Sequence, residues 1–250
     1  MQENTPRTPY FTSDVERLIN QNMKKCMTFS YPFLEMYVKH FLKAPLTVYD
    51  LETSNFRNTW NFGITEISTF HIFPNGKKWL FSTLINPEYP IYPIVAEKTG
   101  ITDEMVTDKP LWKNAGAPFI DYLVRLGSTF LGYNNLSFDR GCIYDMNNKA
   151  QFTGLTPDEN HEIDIFPGVT LYAGKKTKLC DAVDMLDVDM SILKGGFHRA
   201  KFDVMATAGV ADKLLSIYGP DILTLKKCTK KQMQTQKEFL FSQGLCAGHP

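Results

Sequence analysis

The sequence lacks the features that define several large classes of protein. No apolar run approaches the roughly 20 residues that a membrane-spanning helix needs. The polar segment 1–7 lacks the apolar centre of a signal peptide, and the five cysteines are scattered without a Cys-x-x-Cys pair. No internal repeat or low-complexity tract is visible. These absences argue against a membrane protein, a disulfide scaffold and a repeat array. They predict a cytoplasmic chain with reduced thiols and without a zinc site.

The chain also lacks net charge, because 27 Lys and Arg balance 27 Asp and Glu. This balance is uneven along the chain. Between positions 194 and 237, nine Lys or Arg stand against three Asp, so the remainder is net negative. Such a basic stretch suits a nucleic-acid phosphate backbone, although a solvated lysine-rich helix face has the same composition. With 250 residues and 43% hydrophobic content, the chain suits one substantial domain with extensions.

Two acidic residues follow an apolar run near position 50. The run 46–49 predicts a buried strand, and Asp50 and Glu52 come at its end. Because side chains alternate along a strand, both carboxylates project from the same face. They repel each other unless a cation holds them, and Mg²⁺ prefers carboxylate oxygens. An Asp-x-Glu triplet also arises by chance in a chain this long, so an exposed strand end is the simpler explanation of the triplet alone.

Three further residues lie in contexts that suit the same chemistry. Asp139 follows a short apolar strand (129–133) at a helix start, where Asn135 is the predicted N-cap. His198 and Asp203 lie where a glycine-containing loop enters a helix with one apolar face. Residues five apart on a helix lie about 140° around its axis, so His198 is expected on the loop and Asp203 in the first turn. A mobile histidine beside a metal-binding carboxylate suits a general base, whereas a surface histidine near a solvated aspartate is the simpler alternative.

Taken together, these segments resemble the motifs of a known enzyme family. In order and separation they are similar to the three motifs of the DEDDh 3′–5′ exonucleases: Asp50-x-Glu52-Thr53, Asn135-x-x-Phe138-Asp139 and His198-x4-Asp203. That family includes the proofreading subunit of bacterial DNA polymerase III and ribonuclease T. The resemblance runs from about residue 46 to about residue 217. Two positions depart from the common pattern, because family members often carry histidine where this chain has Thr99 and Asn134.

The resemblance implies a ribonuclease H-like α/β fold, with a mixed five-stranded sheet covered by helices. The expected organisation is an N-terminal helical extension (1–43), an exonuclease domain (44–217) and a basic helical tail (218–250). Strands are predicted near 46–51, 62–73, 77–86, 129–133 and 161–167, and helices near 113–127, from 138, near 177–187 and near 199–217. In the extension, one helix is predicted from Ser13 and Asp14, and an apolar helix within 29–42 is expected to pack on the core.

The resemblance also implies a two-metal phosphodiesterase that acts on a single-stranded 3′ end. Two Mg²⁺ ions are expected, with Mn²⁺ as an alternative. Asp50, Glu52 and Asp203 would hold one ion, and Asp50 would bridge to the second ion near Asp139. His198 would take the proton from the attacking water, since its pKa near neutrality suits that task.

Substrate contacts are implied more weakly. The backbone around Leu51 and Thr53 would approach the terminal nucleotide, and Asn135 would position the helix of the second motif. The aromatic residues Phe56 and Trp60 suit base stacking or packing within their loop, and packing is the expectation for Trp60.

Alternatives to a DNA exonuclease remain open at this point. DNA is favoured as the substrate because the match to polymerase-associated members is closest, while an RNA 3′ exonuclease is the nearest rival. Recognition of RNA depends on the 2′-hydroxyl, and no residue here identifies that contact. A non-catalytic module on the same fold, recruiting a protein partner through its N-terminal helices or basic tail, is the rival from another class.

Overall fold

A computed structural model describes residues 12–25, 29–191, 193 and 195–235, and its centre is a mixed sheet of six strands. The spatial order is β1-β4-β3-β2-β5-β6. Strand β2 pairs antiparallel with β3 and parallel with β5. The strands are β1 (Met23–Lys25), β2 (Leu46–Thr53), β3 (Ile64–Ile72), β4 (Lys78–Leu84), β5 (Thr129–Gly132) and β6 (Glu162–Asp164). Five of them match the predicted strands. The sixth, β1, lies in the extension and pairs antiparallel with β4. It was not predicted, because three residues are too few to give a periodic pattern.

Helices cover the sheet. They are α1 (Ser13–Asn22), α2 (Pro32–Tyr37), α3 (Pro93–Thr99), α4 (Asp103–Val106), α5 (Gly116–Arg125), α6 (Asp139–Lys149), α7 (Phe166–Ala173), α8 (Leu179–Met185) and α9 (Ala200–Tyr218). The sequence predicted α1, α5, α6, α8 and α9 close to these bounds. It did not predict α3, α4 and α7, which span only four to eight residues each and therefore show little helical periodicity.

The alternation of side chains along β2 divides the apolar core into two layers. Leu46 and Val48 lie in the layer that also contains the buried face of α9. Tyr49 and Leu51 lie in the opposite layer with α5. Because Asp50 and Glu52 follow the same alternation as Leu46 and Val48, they project toward the side of the sheet that α9 covers.

The segment 29–42 packs on this core, as predicted. Leu34 and Val38 are fully buried, and the backbone N–H of Leu34 donates to Asp212 Oδ1 over 2.8 Å. The helix begins later than expected, at Pro32, which is well suited to the first helical position because it needs no hydrogen-bond acceptor. It continues as a π-helical turn (Val38–Leu42) and ends where Lys43 adopts a left-handed φ of 56°.

After α9 the chain forms a short 3-10 turn (Pro220–Thr224) and becomes helical again over residues 230–235. This agrees with the predicted short helices of the tail up to that point. The part of the predicted basic stretch at Lys194 and Lys237 lies outside the described residues. Among the helices of the described chain, none is both long enough and apolar enough to cross a membrane.

Candidate active site

Three carboxylates converge where β2 meets the beginning of α9. Asp50 and Glu52 reach this point from the strand, and Asp203 reaches it from the first helical turn. One oxygen atom from each of the three lies within 4.8 Å of the others. The fold therefore brings together acids that are separated by some 150 positions in the sequence. Their spacing is compatible with shared coordination of one cation by carboxylate oxygens.

Asp139 approaches the same strand from α6, of which it is the first residue. Its side chain is buried, and its Oδ1 accepts a hydrogen bond from the backbone N–H of Leu51 over 3.2 Å. Leu51 lies between Asp50 and Glu52, so this bond holds Asp139 against the acidic end of β2. Asp139 is not part of the group of three oxygens, which suits a role at a neighbouring position.

Burial, with added negative charge nearby, raises the pKa of each of the four acids. Burial, followed by the charges of Asp139, Glu52, Asp203 and Glu66, raises the pKa of Asp50 well above its ordinary value. Burial and then the charge of Asp203 raise the pKa of Glu52 to about 8. Burial raises the pKa of Asp139 and that of Asp203 to about 7. Charging all four carboxylates together is unfavourable at this buried position. A bound divalent cation would reduce that cost.

A hydrogen-bond count at Asp203 agrees with a cation at this position. Its Oδ2 accepts the backbone N–H of His198 over 3.2 Å. Its Oδ1 is buried and has no hydrogen-bond partner within the described residues. A buried carboxylate oxygen without a donor is costly unless a ligand satisfies it, and an all-oxygen donor set suits a hard cation. The residues present therefore fit a divalent metal ion.

His198 lies on the loop before α9, where the sequence placed it. Its backbone adopts a left-handed φ of 68°, and its side chain is exposed. Partial burial, followed by the positive charges of Lys98 and Lys178, lowers the pKa of the imidazole. The ring is consequently neutral at pH 7 and able to accept a proton.

Glu66 is a buried acid at this site that the sequence analysis did not single out. It lies opposite Glu52 in the register of β2 and β3. Arg199 donates two hydrogen bonds to this carboxylate, from Nε to Oε2 and from Nη2 to Oε1, each over 3.1 Å. The backbone N–H of Ala200 donates a third to Oε2 over 3.2 Å. Glu66 thus fixes the start of the helix that carries Asp203. The available signal was an acid within an otherwise fully buried strand, together with an arginine directly after His198.

The residues predicted to contact substrate lie close to the carboxylates. Leu51 and Thr53 are buried on β2, and the register with β3 shifts between Glu52 and Thr53. Asn135 is buried as well, and its side-chain amide lies against the Tyr49 hydroxyl, where its nitrogen can donate to the backbone oxygens of Gly132 and Ile163 over 3.2 Å each. The prediction that Asn135 caps α6 is wrong. Phe138 occupies the cap position without a side-chain hydrogen bond, because the loop inserts an additional turn before the helix.

The expectation that Trp60 packs in its loop is also wrong. Its side chain is 80% exposed, and that of Phe56 is 63% exposed. Both residues lie in the connection between β2 and β3, which extends past the end of the sheet. Sequence alone does not distinguish an inward from an outward aromatic residue in an irregular loop.

Comparison with known proteins agrees with this geometry. A family model described as an exonuclease matches residues 47–211. The DNA polymerase III subunit epsilon of Pasteurella multocida is 32% identical over 178 residues, which are 66% of this chain and 65% of that protein. A PolC-type DNA polymerase III of Caldanaerobacter subterraneus is 31% identical over 176 residues, covering 70% of this chain but only 12% of the relative. The chain thus corresponds to a part of each of these relatives.

Solved structures show the same fold. Exonuclease X in complex with 5′-overhanging duplex DNA has a TM-score of 0.53 and 24% identity, covering 76% of this chain and 98% of that one. The nuclease domain of 3′hExo, described as a DEDDh family member bound to rAMP, has a TM-score of 0.57 and 14% identity, covering 71% of this chain and 94% of that one. The family model spans most of the chain, and its three motifs supply the clustered carboxylates. The chain therefore belongs to the exonuclease family, and the resemblance to the DEDDh group is confirmed.

Proposed function

We propose that this chain is a divalent-metal-dependent 3′–5′ exonuclease that hydrolyses phosphodiester bonds and releases nucleoside monophosphates. The observation that carries the proposal is the approach of oxygens from Asp50, Glu52 and Asp203 to within 4.8 Å, with Asp139 bonded to the intervening backbone. Mg²⁺ is the proposed ion because it prefers carboxylate oxygens, and Mn²⁺ is the expected substitute.

The proposed roles of the acids are those that the family resemblance implies, and the grouping of Asp50, Glu52 and Asp203 supports them. Asp50, Glu52 and Asp203 would hold one ion, and Asp50 together with Asp139 would hold a second. When bound, a pair of divalent ions supplies charge stabilisation to both the entering and the leaving oxygens of an in-line displacement. The chain contributes the fixed geometry, since β2, α6 and α9 each hold one part of the acid cluster. The hydrogen bonds that Glu66 accepts from Arg199 and Ala200 hold the beginning of α9, which carries Asp203.

His198 is the proposed general base. A neutral imidazole nitrogen accepts the proton that the attacking water loses, and its lowered pKa keeps that nitrogen unprotonated at pH 7. Leu51 and Thr53 are the proposed backbone contacts of the terminal nucleotide. Asn135 is proposed to position the segment before Asp139 rather than to cap α6.

DNA is the proposed substrate. One relative is a subunit of DNA polymerase III, another is a PolC-type DNA polymerase III, and the structure of exonuclease X contains DNA. An RNA 3′ end is the second candidate, because a related fold is described in 3′-end-specific recognition of a histone mRNA stem-loop. We propose residues 44–217 as the catalytic domain. The extension (1–43) and the tail (218–250) are the proposed surfaces for any protein partner.

The test uses 5′-labelled single-stranded DNA and RNA of the same sequence, incubated with Mg²⁺ and resolved on a denaturing gel. The expected result is a ladder that shortens from the 3′ end, with DNA degraded faster. Faster degradation of RNA would reverse the substrate assignment. Intact strands with both Mg²⁺ and Mn²⁺ would contradict the proposed activity and favour a binding module on the same fold.

A further inference from the structure

An exposed group of aromatic side chains lies on two connecting segments, the one between β2 and β3 and the one between β4 and α3. Trp60 and Tyr89 meet edge to face, with ring centroids 5.6 Å apart, although Trp60 is 80% exposed and Tyr89 36% exposed. Phe56 and Tyr92 form a second pair with centroids 6.2 Å apart. These four residues are called the aromatic platform below. Large aromatic side chains grouped on a surface indicate a binding site more often than scattered ones do.

A cation lies within this group. Lys149 Nζ, at the end of α6, is 5.7 Å from the centroid of the Tyr89 ring. It donates to the backbone oxygen of Phe62 over 2.7 Å, and no carboxylate forms an ion pair with it among the described residues. Its charge is therefore available to an anionic ligand.

A cavity of about 460 Å³ opens at the same place. Its lining includes Tyr89, Lys113 and Lys149, with Glu88 as the acidic member. Flat aromatic faces next to lysines offer both stacking and charge to one ligand class, the nucleobases and phosphates of a nucleic-acid strand.

The platform is tied to the catalytic elements. Arg57 pairs with Asp145 of α6 over 2.6 Å, and the Lys149 bond adds a second connection from the loop to that helix. Asp139 begins the same helix, and the loop itself starts directly after Glu52 and Thr53. The backbone N–H of Tyr92 donates to the oxygen of Ser54 over 2.8 Å, which joins the other pair to the end of β2. Eight residues of extended chain reach at most about 28 Å, so Trp60 lies within the length of a short oligonucleotide from Glu52.

We propose that the Trp60 and Tyr89 part of this platform, with Lys149, binds nucleobases of the substrate strand upstream of the 3′ end that is cut. The inference rests on the proposed nuclease function and extends it to a stacking site outside the catalytic centre. Stacking tolerates every base because each has an aromatic face, so the site contributes affinity without sequence preference. Lys149 lies 5.7 Å from the Tyr89 ring and Lys113 lines the same cavity, and this positive charge favours a phosphate-bearing strand over an apolar protein surface.

The first test compares substrates of different length. For a 20-nucleotide single strand, Trp60→Ala and Tyr89→Ala are each expected to raise KM about 5- to 50-fold. For a dinucleotide, which is too short to reach the platform, the increase is expected to be far smaller. Phe41→Ala is the matched control, because Phe41 is 61% exposed and lies in the extension. Equal KM values for wild type and Trp60→Ala on the long strand would overturn the proposal.

A second measurement does not depend on cleavage. Among the tryptophans, Trp112 is buried and Trp79 is half-buried, so Trp60 dominates the solvent-accessible fluorescence. Thymidine 20-mers added with Ca²⁺ in place of Mg²⁺ are expected to quench it, and Trp60→Phe is expected to lose that quenching. Quenching that persists in Trp60→Phe, or is absent from wild type, overturns the proposal. If wild type shows quenching and cleaves neither DNA nor RNA, the nuclease function fails while the stacking site stands.

Discussion

Two polar clusters occupy opposite ends of the β2 and β3 pair, and they differ in how their polar groups are satisfied. At one end His71 is buried among hydroxyls, with Nδ1 3.0 Å from Thr47 Oγ1 and Nε2 2.8 Å from Thr69 Oγ1. At the other end Asp50, Glu52 and Asp203 approach one another without an intervening donor side chain. Both clusters are products of the same strand alternation.

The difference separates a structural site from a functional one. The His71 cluster is complete within the chain, because each ring nitrogen has a partner, and burial lowers its pKa to about 3 so that it stays neutral. The acidic cluster is incomplete, since burial and then the charge of Asp203 raise the pKa of Glu52 to about 8, and one oxygen of Asp203 has no partner among the described residues. An unsatisfied buried oxygen within a group of three converging carboxylates is what a bound cation would satisfy.

The largest expected effect comes from removing one carboxylate charge. Asp203→Asn is expected to lower kcat at least about 10³-fold, equivalent to about 4 kcal/mol, because it removes a metal ligand. The same change is expected to keep or raise the thermal stability of the metal-free protein, since it removes a repelling charge. Activity assays and melting curves in EDTA check both parts.

Asp212→Asn is the matched control for Asp203→Asn. Asp212 lies on the same helix, but it accepts the backbone N–H of Leu34 instead of joining the acid cluster. It is expected to retain activity. Full activity in Asp203→Asn, or a loss of activity in both variants, would contradict the division between the two clusters.

Removing the proposed general base is expected to have the next largest effect. His198→Ala is predicted to lower kcat about 10²-fold at pH 7, because no neutral imidazole remains to accept the proton. His161→Ala is the control, since His161 is exposed and paired with Asp158. A wild-type rate in His198→Ala would show that the proton leaves by another route.

Replacing His71 should reduce stability and leave activity intact, the reverse of replacing His198. His71→Ala is expected to reduce the free energy of unfolding by about 2–4 kcal/mol, because it leaves a cavity and two hydroxyls without their partner. The rate per folded molecule is expected to change little. Urea denaturation and specific activity measured on the same preparation test this. A variant with normal stability and low activity would assign His71 to the functional site instead.

Adding the ion should affect only the incomplete cluster. Mg²⁺ at ten times its dissociation constant is expected to stabilise the protein by about 1.4 kcal/mol and to raise Tm by a few degrees. Asp203→Asn is expected to lose most of this shift, while His71→Ala keeps it. If neither Mg²⁺ nor Mn²⁺ changes the Tm of wild type, the acidic cluster is not a metal site.

The smallest effect is a pH dependence from His71. Its pKa is about 3 in the folded protein and 6.5 without burial, so the unfolded chain binds the extra proton between these values. His71 therefore costs stability as the pH falls below about 6.5, by about 1 kcal/mol between pH 6 and pH 5. The difference in unfolding free energy between wild type and His71→Ala should shrink over that interval. A constant difference would indicate that His71 is protonated in the folded state.

Much of the catalytic arrangement was predictable because it depends on local patterns. Alternation along β2 places Asp50 and Glu52 on one face, and the glycines before His198 place that residue outside α9. The predictions that failed depend on contacts between distant segments. Strand β1 exists through its pairing with β4, and Asn135 lies against Tyr49 instead of capping α6. Likewise, Trp60 is exposed on a loop that Arg57 and Lys149 join to α6.

The sequence by itself determined which residue types stand at the three motifs, and with them the family and the α/β character of the fold. Local spacing fixes these properties, since strand and helix periods act over a few neighbouring residues. The family resemblance implied that Asp203 joins Asp50 and Glu52, but only the tertiary structure gave the approach of their oxygens to within 4.8 Å and showed that Glu66 holds the start of α9 through Arg199 and Ala200. Those approaches result from packing α9 across the sheet, and no local pattern encodes the distance between two surfaces.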